Sequence, residues 1–187
     1  GGHLVLRALV EGAIRFDAAV LVAPMLGFRH GIFGPFAERA ARLLGSLGDR
    51  ARPAWKGNEK PYTTQTRSHL LTHDSARYAD ELWWQQHDPG LLTGAPSWNW
   101  LIEGFRSMRE LAADSRLGAM TVPLLMLIAE QDGLVDPRAA LAIAPKLPDV
   151  AVVRFGRESA HEILREADPV RDRALAEIDA FLAARAG

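Results

Sequence analysis

Residues Pro123–Pro137, PLLMLIAEQDGLVDP, decide how this chain is read. Leu124 to Ala129 is an unbroken apolar run. The chain then turns polar at Glu130-Gln131-Asp132-Gly133, and Asp136-Pro137 opens a helix. A short apolar run bounded by turn residues predicts a strand buried on both faces, as in a parallel sheet sandwiched by helices. Asp132 follows that strand at its carboxyl end, the edge of an open α/β sheet where ligands and chemistry gather.

The same signature recurs on both sides. Ala18 to Ala23 is a second apolar run, preceded by Asp17 and stopped by Pro24, and Val150 to Phe155 is a third, rich in β-branched residues. Helical spacing separates them. Leu4 to Val10 reads as a buried helix ended by Gly12. Asp136 caps a helix with Pro137 in its first turn, running to about Leu147. Asp168-Pro169 opens the last helix by the same logic, with an apolar stripe at Val170, Ala174, Ile178, Phe181 and Leu182. Strands alternating with helices predict βαβ units and a parallel sheet.

Between Met25 and about Met120 the pattern changes. Phe33 to Leu47 has helical spacing, and Gly48 to Tyr62 is irregular. Asp74 or Ser75 caps a helix carrying Tyr78, Leu82 and Trp83, and Trp98 to Leu111 is a further helix. A crossover needs only about a dozen residues. The expectation is therefore an α/β core at 1–28 and 114–187, with a mostly helical cap inserted at 29–113.

Composition narrows the function classes. The chain has 187 residues, 48% apolar and 24% charged, with a net charge of -1. Nothing in that balance attracts nucleic acid or an anionic membrane surface. With no cysteine, disulfides, thiolate metal sites and cysteine nucleophiles are excluded.

Chemistry converges on two loops. Asp132 follows one predicted strand and His161 follows the next, in Arg157-Glu158-Ser159-Ala160-His161-Glu162. Loops leaving the same end of adjacent parallel strands can meet. A carboxylate that orients an imidazole general base is the second half of a serine triad. Glu130 and Asp136 are rival acids, but Asp136 is better explained as a helix cap and Glu130 as support for the loop. His3, His30, His69, His73 and His87 show no ligand spacing with a suitable acid, so no metal and no organic cofactor is expected. His73-Asp74 reads instead as a helix start. Of seven serines, none sits in a nucleophile elbow: Leu44-Gly45-Ser46-Leu47-Gly48 lacks the first glycine, and Ser159 lacks the strand-to-helix turn.

The amino terminus opens Gly-Gly-His-Leu-Val-Leu-Arg, as a helix already under way. It looks like the tail of G-x-S-x-G-G, which would put a nucleophilic serine two residues before Gly1. Three parallel strands also make a small free-standing sheet. The expectation is a carboxyl-terminal piece whose remaining sheet and nucleophile lie upstream.

Four stretches carry a family resemblance: Gly1-Gly2-His3, Ala23-Pro24-Met25-Leu26-Gly27, Ala129-Glu130-Gln131-Asp132-Gly133-Leu134-Val135-Asp136, and Ala160-His161-Glu162-Ile163-Leu164. With them the chain resembles the lysophospholipase and monoacylglycerol lipase branch of the α/β-hydrolases. Leu70 to Trp84, with Thr72-His73-Asp74 and Trp83-Trp84, looks like the cap of the lysophospholipase members. The resemblance implies a partial α/β-hydrolase fold and hydrolysis of an acyl ester through an acyl-enzyme. Asp132 and His161 would be the acid and base, with an upstream serine. Proline-type peptidase or haloperoxidase chemistry, and a degenerate binding protein, are the alternatives. Met25, Trp83, Trp84 and Phe105 are candidate substrate contacts for an apolar chain. A lipid-like ester is the implied partner, with peripheral membrane contact and a cytoplasmic or inner-membrane location by resemblance alone.

Overall fold

The computed structural model describes residues 1–29, 36–55 and 65–185, with side chains from 68 onward in the last of these spans. His30, the Phe33 start of the first expected cap helix and the 56–62 part of the irregular stretch lie outside them.

Among the described residues, three strands form one parallel sheet in the order β1 (Ala19–Val22), β2 (Leu124–Ala129), β3 (Val150–Phe155). Leu21 lies beside Met126, and Met126 beside Val152. All six residues of β2 are buried, which explains the missing alternation in its sequence. Side chains alternate across a strand. Leu124, Met126 and Ile128 therefore face one layer, and Leu125, Leu127 and Ala129 the other.

The first layer is α1 (Gly2–Val10), α6 (Pro137–Ile143) and the end of α5 (Trp98–Ala113), which contribute Leu6, Leu9, Ala140, Ile143 and Leu111. The second is α7 (Asp168–Arg185), which contributes Ala174, Val170, Ile178 and Phe181. Each large side chain fully withdrawn from water contributes about 1.5–3 kcal/mol, so β2, packed on both faces, is the densest source of stability per residue.

Gly12 ends α1 as its position in the sequence suggests. At φ +70 it takes the left-handed conformation that glycine adopts without penalty. Gly12 N–H reaches Leu9 O at 3.0 Å and Ala13 N–H reaches Ala8 O at 2.9 Å, the double bond of a Schellman cap. At the other end of α1, a side chain on Gly2 would fall 2.9 Å from Pro24 Cβ. The helix thus approaches the exit of β1 as closely as backbone allows.

Between β1 and β2 the described helices are α2 (Ala37–Gly45), α3 (Gln65–Leu71), α4 (Ser75–His87) and α5. Asp74, not Ser75, caps α4, accepting from Ala76 N at 3.0 Å and Arg77 N at 3.1 Å. Ser97 caps α5 through Trp100 N. α3 has no counterpart in the sequence reading, and Asp168 lies inside α7 rather than capping it. Its carboxylate takes Arg77 instead. α5 is shared: Ile102 meets α2 at Gly45, whereas Leu111 belongs to the sheet's core. No helix among the described residues is long and apolar enough to cross a membrane.

His3 joins α1 to α5. Its Nε2 lies 2.8 Å from Ser107 Oγ, and its buried Nδ1 sits against the Met25 backbone without a well-formed hydrogen bond. Burial first, then the positive charge of Arg7, lowers its pKa below the usual 6.5.

Two predictions follow from this packing. Leu127→Ala, which empties the centre of β2, is expected to lower unfolding free energy by about 3–4 kcal/mol, read from urea denaturation. The unfolded chain protonates His3 near pH 6.5 while the folded imidazole resists. The unfolded state therefore binds more protons below that pH, and stability falls on acidification and rises with pH. His3→Gln is expected to flatten the urea midpoint between about pH 7.5 and 5.5 relative to wild type; an unchanged slope would sink the assignment.

Candidate active site

Asp132 and His161 meet where the expected loops leave β2 and β3. His161 Nδ1 lies 2.6 Å from Asp132 Oδ2. The carboxylate is fully buried, and the imidazole is 26% exposed at its side chain. Asp132 Oδ1 accepts from Leu134 N at 2.8 Å and Val135 N at 3.0 Å. These two backbone donors hold the acid in place and leave its second oxygen for the ring. With Nδ1 donating to a carboxylate, the neutral imidazole keeps its lone pair on Nε2, the atom a general base uses.

The rival acids are turned to other tasks. Glu130 pairs with Arg154 on β3. Asp136 accepts from Arg138 N at 3.0 Å and caps α6. Of the two serines weighed above, Ser46 donates to Leu43 O at the end of α2 and Ser159 donates to Ala160 O. His73 is not part of the cap at Asp74. Its backbone N–H reaches Glu166 Oε2 at 3.0 Å and its Nδ1 lies 3.3 Å from Glu166 Oε1.

The acid loop is braced by the segment after β1. Phe28 bridges Val135, Asp136 N–H reaches Gly27 O at 2.9 Å, and Arg29 Nη1 donates to Asp132 O. Ala23, at φ +41, takes a left-handed conformation that costs a residue with a Cβ about 1–2 kcal/mol, and it lies at the exit of β1 beside the site. In the histidine loop, Glu158 Oε1 accepts from Gly156 N at 2.9 Å. Its pKa is lowered first by its own backbone N–H, then by that of Gly156.

The four candidate substrate contacts fall in two places. Phe105 packs edge-on against Phe28, centroids 4.8 Å apart, and Trp100 lies 5.7 Å from the same ring. Met25 is half-buried in the same post-β1 segment. Trp83 and Trp84 are 50% and 57% exposed on α4. They form an edge pair, and Trp83 stacks on His87. A cleft of about 250 Å³ beside the acid loop is lined by Arg29, Glu130, Asp136, Pro137 and Arg138, and by none of these four. Among the described residues, no group of three or more His, Asp or Glu side chains could hold a metal ion.

Sequence reasoning passed over two residues at this site. Arg29 touches Asp132 through a backbone carbonyl, and Glu166 lies fully buried beneath the histidine loop. Neither carries a spacing signal, because both act from irregular segments brought in by the fold.

Lysophospholipase L2 of Escherichia coli strain K12 is 29% identical over 174 residues, which is 85% of this chain and 48% of that protein. The chain thus spans about half the length of the curated relatives it matches. A soluble variant of monoglyceride lipase from Saccharomyces cerevisiae superposes with a TM-score of 0.72 at 14% identity, over 99% of this chain and 62% of the lipase. Paleococcus ferrophilus monoacylglycerol lipase gives 0.71 at 18%, over 98% and 65%. Residues 1–168 match the family described as serine aminopeptidase, S33, and the chain belongs to that family.

Proposed function

We propose that the intact protein is a serine-dependent carboxylic ester hydrolase acting on lysophospholipid or monoacylglycerol-like acyl esters. The observation that carries this reading is the 2.6 Å contact of His161 Nδ1 with buried Asp132. It has the geometry and the chain order of the acid and base of an α/β-hydrolase triad. The names of the lysophospholipase and monoglyceride lipase relatives support the substrate class.

In this reading the nucleophile is a serine two residues before Gly1. The opening Gly1-Gly2-His3, read as the tail of G-x-S-x-G-G, supports that assignment. The serine attacks the ester carbonyl, and His161 Nε2 takes its proton. His161 then protonates the leaving alcohol, and an acyl-enzyme remains. Water attacks it with His161 again as base. Asp132 keeps Nδ1 protonated and stabilises the imidazolium as it forms. The core comprises 1–28 and 114–187, residues 29–113 form a cap, and Met25, Trp83, Trp84 and Phe105 supply apolar contacts to the substrate.

A second reading keeps the site and changes the substrate. The family takes its description from a serine aminopeptidase, so an aminoacyl amide is the competing electrophile. Rates of the intact protein on medium-chain acyl esters and on aminoacyl amides separate the two, and the ester is expected to win.

Asp132→Asn places an amide against His161 Nδ1 and favours the wrong tautomer. In the intact protein it is expected to lower kcat by about 10⁴, and His161→Ala by a comparable factor. Fluorophosphonate labelling should modify the serine upstream of Gly1 and fade with either substitution. The 187-residue chain by itself is expected to be inactive. Ester hydrolysis by that chain, abolished by His161→Ala, would overturn the location of the nucleophile.

A further inference from the structure

Three successive backbone donors of the histidine loop are all taken by groups outside the sheet. Ala160 N–H reaches Glu166 Oε1 at 2.7 Å. His161 N–H reaches Leu70 O at 3.3 Å, and Glu162 N–H reaches Leu71 O at 2.7 Å. Leu70 and Leu71 end α3, in the insertion between β1 and β2. The loop therefore lies on the insertion, and Glu166 is the knot between them. One carboxylate oxygen accepts from the residue before His161, and the other accepts from His73 N–H at 3.0 Å. Thr72 Oγ1 lies 3.2 Å from Oε2 and 2.8 Å from Arg165 O.

Glu166 is 1% exposed. A carboxylate out of water costs several kcal/mol unless its oxygens are satisfied. The charged groups around it are mostly committed elsewhere. Arg77 donates to the Glu166 backbone carbonyl and pairs with Asp168. Arg165 pairs with Glu162 and Glu81. Only the His73 ring reaches the carboxylate among the described ion pairs. A buried acid held mainly by two backbone N–H groups from two different segments is an expensive way to fill space. It fixes the position of one segment relative to the other.

We propose that Glu166 is a positioning residue for His161: a buried carboxylate that locks the histidine loop to the helical insertion and so sets the place of the imidazole against Asp132 and the nucleophile. This rests on the triad reading above. Displacement of a catalytic group by about 1 Å costs on the order of 10² in rate, so a tie at the adjacent residue acts on turnover rather than on substrate affinity.

The test uses Glu166→Gln in the intact protein. An amide has one acceptor oxygen, and its NH₂ must face either Ala160 N–H or His73 N–H, so one of the two ties is broken whichever way it turns. The expected result is a fall in kcat of about tenfold to hundredfold with little change in KM. In proton NMR, the downfield resonance of the His161 Nδ1 proton should shift or broaden. Thr72→Val removes one hydroxyl from the same knot and is expected to move both readouts in the same direction by less, with Thr72→Ser restoring them; it decides the matter where Glu166→Gln does not fold. An unaltered resonance and an unaltered kcat in folded Glu166→Gln or Thr72→Val would overturn the proposal. If the wild type hydrolyses no ester, the proposed function fails, and the Nδ1 resonance still decides the role of Glu166.

Discussion

Everything near this site follows from the need to keep the oxygens of one buried acid, Asp132, hydrogen-bonded out of water. Its burial is complete, and an unpaired buried charge would cost several kcal/mol. Three donors remove that cost: two backbone N–H groups of its own turn and one imidazole. The turn donors require the chain to double back at once after β2, and Gly133-Leu134-Val135 does so. The imidazole requires β3 to lie beside β2 and run the same way, so that His161 leaves the sheet at the same edge. A parallel pair with the register Ala129 to Phe155 meets that requirement. Parallel order demands a crossover, and α6 provides it on one face while α7 covers the other.

The third strand does a different job. β1 contributes little chemistry of its own, but the segment after it runs along the acid loop as a brace. Phe28 on Val135, Gly27 on Asp136 and Arg29 on the carbonyl of Asp132 hold that loop from the side opposite His161. A side chain on Gly27 would fall 2.6 Å from Ala139 Cβ, so α6 and this segment are in direct contact. The strained backbone of Ala23 is where the chain makes the turn that starts the brace. Strain of this kind persists only where its surroundings over-determine it.

The sequence showed what short-range rules control. The continuous apolar runs marked β2 and β3 because a strand buried on both faces must be apolar throughout, and β3 was bounded to the residue. Pro137 and Asp136 marked α6, and Gly12 marked the end of α1, because each acts on its own turn of chain. The pairing of Asp132 with His161 was legible from two loops at one sheet edge in the order acid, then base. α3 was missed because its seven residues are too few for periodicity to stand out. Asp168 looked like a cap, but Arg77 from a distant helix draws its carboxylate away. Glu166 and Arg29 were invisible for a related reason: Arg29 meets Asp132, and Glu166 meets His73, across about 90 to 100 positions of sequence, and no local pattern encodes that.

The histidine loop shows why the helical insertion cannot be treated as a detachable lid. Irregular backbone cannot satisfy its own N–H groups, and each one buried without a partner costs about 1–3 kcal/mol. Without the insertion, His161 and Glu162 would have to find water. Here they find the carbonyls of Leu70 and Leu71, and Ala160 finds the carboxylate of Glu166. Thr72, Arg77 and Arg165 extend the same contact toward α4 and α7. The insertion and the sheet are therefore one cooperative unit around His161. A change that lifts α3 away would loosen His161.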